Sequence, residues 1–324
     1  MKGLFGDLYY LGHFLAAEGL GRQPFSWLRK SGIDGLARLA YGLSREKRRR
    51  IERNLEIAFG PGQPPSERRR LTLACFREFW REMVDCVPDA GAGPVPASVP
   101  VRGIEHARRA LEDGRGAILW ESNGFGRRFY GKQVLHANGL RVYQTHGETH
   151  LGAMEILPGP GTPVRRFLRG CYDRREKTCV EDILDVPLSA TVSSGRSYLK
   201  QLRRNRLLCM AGDGQIARQL HDVRLLGRTV QLAPGAVKLA RLSGAPLLPF
   251  FWTPGRDGVA VVEIDPPIVP EGEGDAAVVA CLQQFADALD RRVRRWPDAY
   301  RNWHLLGDRL EGETALRATQ EDEP

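Results

Sequence analysis

The sequence predicts an α/β fold, a layered sheet flanked by helices and preceded by a helical segment. Three observations carry this. Past residue 100, short apolar runs alternate with stretches whose apolar residues recur at helical spacing. Before residue 88 the apolar positions follow helical spacing throughout. Between the two lies Pro88-Asp-Ala-Gly-Ala-Gly-Pro-Val-Pro-Ala-Ser-Val-Pro100, a linker by composition. The chain is therefore read as an N-terminal helical segment packing on the core (1–87), a linker (88–100), an α/β core (101–308) and a disordered tail (309–324).

In order along the chain, residues 1–20 are apolar but interrupted by Asp7, His13 and Glu18. The longest clean stretch falls short of the ~20 residues that a membrane span needs, and neither a signal-peptide n-region nor a cleavage site is present. The expected element is an amphipathic helix that packs on the domain or lies on a membrane surface. Ser44 is placed as the cap of a helix running through Arg48 to Ala58, ended by Gly60-Pro61-Gly62. Ser66 is placed as the cap of the next, whose Leu71, Cys75, Phe79, Met83 and Cys86 form a core-facing stripe.

Beyond the linker, helix 104–112 leads through Gly114 and Gly116 into a strand from Ala117 to Trp120. A loop, a helix and Asn138-Gly139 lead to a strand from Leu140 to Tyr143, followed by a long irregular stretch at 151–190. A helix around Tyr198 to Arg203 precedes the strand Leu207 to Ala211. Then come helix 234–243, strands Pro246 to Trp252 and Val259 to Ile264, and a last helix at about 275–295.

The 324 residues allow one large domain or two small ones, and 42% hydrophobic with 27% charged residues is ordinary for a globular chain. The net charge of +9 is less so. It sits in runs such as Arg48-Arg49-Arg50, Arg68-Arg69-Arg70 and Arg203-Arg204, which attract polyanions or merely coat solvated helix faces. Six cysteines show neither CxxC pairs nor zinc spacing and stand among apolar residues, which predicts buried thiols in a reduced, cytoplasmic setting.

A series of short motifs then resembles the lysophospholipid acyltransferase superfamily, most of all its late lipid A acyltransferase branch. Arg53-Asn54-Leu55-Glu56-Ile57-Ala58-Phe59 and Phe76-Arg77-Glu78-Phe79 come first, then Gly103-Ile104-Glu105-His106 and Ala110 through Leu119. Gly195-Arg196-Ser197-Tyr198-Leu199, Ala211-Gly212-Asp213-Gly214-Gln215, Gly227-Arg228-Thr229 with Pro234 to Phe251, and Pro297-Asp298-Ala299-Tyr300 with Trp303-His304 follow in the family's order. The likeness covers residues 45–306. It implies a glycerolipid acyltransferase-like core, a central mixed sheet flanked by helices, and acyl-group transfer as the chemistry.

Members of that superfamily carry His-x-x-x-x-Asp/Glu just after the strand corresponding to Ala117–Trp120. The His acts as general base and the carboxylate orients it. Here Glu121-Ser122-Asn123-Gly124-Phe125-Gly126-Arg127-Arg128 stands there, and registering on Gly116 puts Asn123 at the histidine and Arg128 at the carboxylate. Asn does not titrate near neutrality and Arg keeps its proton, so the family mechanism does not carry over.

The remaining candidates group around this loop. Glu121, Ser122 and Asn123 are the catalytic candidates at a strand's carboxyl end, Glu121 as base or as partner of an ammonium group. Gly124 and Gly126 offer backbone N–H groups, and Arg127 and Arg128 offer cations for a phosphate or carboxylate. The alternative is a dead site with a structural loop. In Thr145-His146-Gly147-Glu148-Thr149-His150, His146 or His150 replaces the missing base if the segment is a loop, with Glu148 beside them. Two His four apart also suit a metal, but no third ligand is evident and none is expected. Asp213 and Gln215 are candidates for substrate positioning, or form an ordinary turn. Arg196 and Arg228 match basic positions of the family and bind donor phosphate, or else make surface ion pairs. No P-loop, GxGxxG or Gly-x-Ser-x-Gly motif occurs.

The expected function is transfer of an activated acyl group from acyl-CoA or acyl-carrier protein to a hydroxyl or amine. Two other readings stay open. One is transfer from aminoacyl-tRNA to a small amine or hydroxylamine, with Arg runs tracking phosphates. The other is a non-catalytic relative that binds a membrane or a partner. The location expected is cytoplasmic, with peripheral contact to an anionic membrane as an option. No cofactor and no stable protein partner are expected.

Overall fold

The computed structural model describes residues 2–85, 87, 99–147, 150–151, 154–155, 162–186, 191–214, 219–255 and 260–306. Four helices open it: α1 (Lys2–Gly21), α2 (Ser26–Leu43), α3 (Arg45–Phe59) and α4 (Pro65–Asp85). There follow β1 (Val101–Arg102), α5 (Ile104–Glu112), β2 (Ala117–Glu121), α6 (Arg128–Ala137), β3 (Val142–Gly147), β4 (His150–Leu151) and β5 (Met154–Glu155). The chain continues with α7 (Pro163–Glu176), β6 (Asp182–Val186), α8 (Thr191–Arg203), β7 (Leu207–Ala211), β8 (His221–Leu225) and β9 (Arg228–Leu232). It closes with α9 (Gly235–Ser243), β10 (Leu247–Thr253), β11 (Val261–Ile264), α10 (Gly274–Arg295) and two 3-10 turns, Pro297–Ala299 and Trp303–Leu305.

Seven strands form one mixed, mostly parallel sheet in the order β1-β11-β10-β2-β7-β3-β6. From β10 to β6 the pairs are parallel; β11 runs antiparallel to β10 and carries β1. β2 is central and buried at all five positions, with β10 and β7 on either side. On one face Leu119, Cys209 and Leu248 pack with Ala107 of α5 and Val134 of α6. On the other, Ile118, Trp120 and Leu208 pack with Leu239 of α9 and Phe285 of α10, and this core continues into α1, α3 and α4. The α/β expectation holds, helical segment included.

Local sequence explains the elements that matter for the site. In α10, Val278, Cys281, Leu282, Phe285, Leu289 and Val293 are buried at i, i+3, i+4, i+7 spacing. Burying Phe285 or Leu289 contributes roughly 1.5–3 kcal/mol each, as an upper estimate. α4 buries Leu71, Cys75, Trp80 and Met83 on one stripe, and Glu82 is buried beside them.

Several expectations need correction. Ser44 stands at the N-cap of α3 but its side chain makes no capping bond. α4 starts at Pro65 rather than after a Ser66 cap, because proline suits the first turn, where its missing N–H has no intrahelical partner. The stretch 151–190 is not irregular throughout. It contains α7, whose Val164, Leu168, Tyr172 and Glu176 recur every four residues, and the edge strand β6. The hairpin β8–β9 was also missed, although Val223, Leu225, Val230 and Leu232 alternate inward around Leu226-Gly227. Most of the linker, Cys86 and the tail from 307 lie outside the described residues.

Candidate active site

The loop after β2 is fixed from two directions. From the turn after the neighbouring strand β7, Asp213 accepts from Ser122 Oγ at 2.6 Å, from the Asn123 N–H at 2.8 Å and from the Gly124 N–H at 3.3 Å. Gly212 makes this approach feasible, since a Cβ there would meet the Phe285 ring at 2.4 Å. From the C-terminal turns, Arg301 donates its N–H to Gly124 O at 2.8 Å and its guanidinium to Asn123 O and Gly126 O. Gly126, at φ +69°, donates to Ala299 O at 2.9 Å.

Both loop glycines are thus packing requirements. A Cβ on Gly124 would meet Tyr300 at 2.6 Å, and one on Gly126 would meet Trp252 O at 2.2 Å. Their N–H groups are spent inside the fold, which corrects the expectation that they are offered to a ligand.

Beneath the loop lies a buried network of charges. Arg128, the first residue of α6, donates Nε to Glu82 of α4 at 3.0 Å and Nη1 to Asn123 Oδ1 at 3.0 Å, with Glu121 at 3.7 Å. Lys132, one turn later, lies 3.3 Å from Glu121 and 3.2 Å from Glu176 of α7. Gln144 of β3 donates to Glu121 Oε1 at 3.1 Å, and Arg301 stands 3.9 Å from Glu82. Glu82, Glu121 and Glu176 are thereby matched by Arg128, Lys132 and Arg301. Lys132 is 0% exposed and Glu121 1%.

At such burial unpaired charges would not persist, so balance is what keeps the groups ionised. Burial by itself pushes the Glu121 carboxyl up, but Lys132 and Arg128 outweigh it and hold the carboxyl below the usual carboxylate range. Burial likewise works against the Lys132 ammonium, yet Glu121 and Glu176 hold its pKa above the ordinary lysine value. Cys209, buried next to Glu121, is kept a neutral thiol by burial first and by that carboxylate second.

The structure therefore brings together Glu121, Ser122, Asn123, Arg127, Arg128 and Asp213. Glu121 and Ser122 are buried; Asn123 is half-buried, and Arg127 chelates Asp85 of α4 and stacks at 3.8 Å on Tyr130. Arg228 lies elsewhere: it donates to Asn54 Oδ1 and to Leu306 O, joining α3 to the C-terminal turn. Arg196 is exposed on α8. His146 is in β3, paired with Asp185 of β6, and His150 is in β4, so the expected loop is partly strand and the two do not share a helix face. Pairing with β6 carries β3 past Tyr143. Glu148 and Gln215 lie outside the described residues.

Sequence reasoning missed Lys132, Glu82, Glu176, Gln144 and Arg301. A signal existed for three of them. Glu82 falls in the apolar run of α4, Glu176 on the stripe of α7, and Lys132 one turn after Arg128 on the buried side of α6.

The arrangement offers a fixed amide. Arg128 has donors only, so the atom it meets on Asn123 is the oxygen, which leaves the Asn123 NH2 on the other arm as a donor. The chemistry around it is a set of oriented hydrogen-bond donors and locked charges.

Comparison with known proteins bears on the chain's family. The sequence signature of bacterial lipid A biosynthesis acyltransferases matches residues 189–310. A phosphatidylinositol mannoside acyltransferase of Mycolicibacterium smegmatis is 26% identical over 266 residues, covering 79% of this chain and 77% of that protein. Phosphatidylinositol mannoside acyltransferases of two Mycobacterium tuberculosis strains, CDC 1551 and H37Rv, are each 26% identical over 268 residues, 79% of this chain and 75% of theirs. These findings support a lipid A acyltransferase-like family within the lysophospholipid acyltransferases, in agreement with the motif order. They support acyl transfer as the chemistry, and with it an acyl donor as substrate.

Proposed function

We propose that the protein transfers an acyl group from a phosphopantetheine thioester, acyl-CoA or acyl-carrier protein, to an amine or hydroxylamine, without a histidine base. The observation that carries this reading is the 3.0 Å hydrogen bond between Arg128 and Asn123. These residues occupy the two positions that the family resemblance gives to carboxylate and histidine. A pair that cannot move protons near neutral pH has taken the place of one that can.

In this reading the acceptor nitrogen, already neutral, attacks the thioester carbonyl. The C–N bond forms, the Asn123 NH2 donates to the developing oxyanion, and the C–S bond then breaks. The ammonium proton leaves with the thiolate, so no enzyme group need take it. An alcohol holds its proton far more tightly and would need a base, which makes hydroxyl acceptors the poorer class. Glu121 is here an anchor: its carboxylate sets Lys132 and Arg128, and Arg128 sets Asn123. Ser122 and Asp213 hold the loop.

The test combines native mass spectrometry with acyl-CoA, acyl-carrier protein and bulk tRNA, and transfer assays on Asn123→Ala. The reading expects retention of an acyl carrier, and a loss in kcat on the order of 10²-fold in the variant with donor binding kept. Retention of tRNA alone would move the donor to aminoacyl-tRNA. Full activity in Asn123→Ala would remove the amide from the mechanism.

A further inference from the structure

We propose that Lys47 of α3 is a nucleophilic amine that takes an acyl group from a thioester onto its own nitrogen. Lys47 is half-buried, with Nζ 5.2 Å from the centre of the Phe76 ring and 5.1 Å from that of Phe79, both on α4. Among the described residues no carboxylate pairs with it, and Glu78, next to Phe79, is held by Arg81. Lys132 is its opposite. There Glu121 and Glu176, at 3.3 and 3.2 Å, lock the side chain as an ammonium. Around Lys47 stand ring faces, which draw an ammonium weakly but accept no proton from it as a carboxylate would.

The polar groups that surround it are basic or neutral. Arg301, from the C-terminal turns, is near enough to oppose its charge, and Lys47 in turn opposes charge on His13 of α1. His13 stacks on Trp80 at 4.9 Å and hydrogen-bonds the Tyr9 carbonyl through Nδ1 at 2.9 Å. Cys75 would support the ammonium only as a thiolate, but burial pushes that thiol up to about 11, and it donates to Arg301 O at 2.8 Å. Arginine keeps its proton, so the crowding of cations is relieved at the other two. Burial first, and a neighbouring cation after it, bring both Lys47 and His13 below their ordinary values. A lysine desolvated by apolar walls and set beside another cation is an activated nucleophile. Its lone pair attacks the thioester carbonyl, the C–N bond forms and the C–S bond breaks. The departing thiolate takes a proton from the nitrogen, which leaves an amide and a free thiol. That the natural electrophile is the donor thioester rests on the acyl-transfer reading; the reactivity of the amine does not.

The experiment treats the full chain with the acetyl thioester of N-acetylcysteamine, a small uncharged probe, and follows each lysine by peptide mass spectrometry. Lys47 should be acetylated roughly three- to tenfold faster than the exposed Lys30 and Lys200, and Lys132 not at all. Lys47→Arg should remove the fast phase. Phe79→Glu, which sets a carboxylate against the ammonium, should slow Lys47 roughly tenfold, with a melting curve to show that the variant is folded. A rate at Lys47 no greater than at Lys30 and Lys200 overturns the proposal, whatever becomes of the variants. Loss of the labelling in Asn123→Ala also overturns it, because the acyl group would then be delivered by the site rather than taken by the amine. Fast labelling of Lys47 in a protein whose Asn123→Ala variant keeps full transfer activity would uphold this inference and reject the amide's role in the site.

Discussion

Removing Lys132 probes the network that fixes the site loop. In Lys132→Met the side chain keeps its bulk, but Glu121 and Glu176 lose the ammonium that stands 3.3 and 3.2 Å from them. Both carboxylates are buried, so each must stay charged without its partner or take up a proton. Protonating a glutamate at pH 7 against an unfolded value near 4.3 costs about 3.7 kcal/mol, at 1.36 kcal/mol per pH unit. That caps the penalty for one carboxylate and agrees with the roughly 3–5 kcal/mol found on breaking a buried pair.

The pH dependence has a definite sign. In the wild type the folded-state pKa of Glu121 is depressed, so its contribution is present above the unfolded value and lost as pH falls through the folded one. In the variant Lys132 no longer opposes burial, only the more distant Arg128 does, and the folded pKa of Glu121 rises. The folded state then binds the extra proton, and stability declines as pH increases. For each carboxylate that takes up a proton, the penalty should be at most about 3–4 kcal/mol at pH 7 and about 1 kcal/mol at pH 5. Urea denaturation of both proteins at the two pH values measures it, with an unchanged m-value as control. Adding Glu121→Gln and Glu176→Gln should recover much of the loss. A penalty below about 1 kcal/mol at pH 7, or one equal at both pH values, would refute the claim that the charges are locked by mutual pairing.

The loop glycines give two further expectations. Gly126→Ala combines a positive φ with a Cβ placed 2.2 Å from a backbone oxygen that cannot withdraw, so differential scanning calorimetry should show a loss of several kcal/mol. Gly124→Ala meets side-chain atoms of Tyr300 and Asn302, which can yield; the loss should be smaller, roughly 1–3 kcal/mol, with transfer activity falling as the C-terminal turn is pushed off the loop.

Much of the fold was legible because its signals are local. Helix 104–112 and strand 207–211 were read at their observed bounds, since Gly103, Gly114 and Asn205-Arg206 punctuate them, and α10 is one long stripe of inward residues. α7 was lost because six arginines and lysines in residues 165–177 hide its four-residue apolar period. At the site, the registration of Asn123 with the family's histidine position is a reading of the motif order alone. The partner network was not legible, because Glu82, Glu176, Gln144 and Arg301 come from α4, α7, β3 and the C-terminal turns, and only the folded chain makes them neighbours.

The most direct test of a base-free site is the pH dependence of kcat/KM for transfer to two acceptor amines of well separated pKa. The account predicts that the inflection follows the acceptor, because the acceptor's own deprotonation is the only ionisation required. An inflection that stays near the ordinary histidine value of about 6.5 with both acceptors would contradict it. The base would then be sought at the carboxyl edge of the sheet, starting with His146.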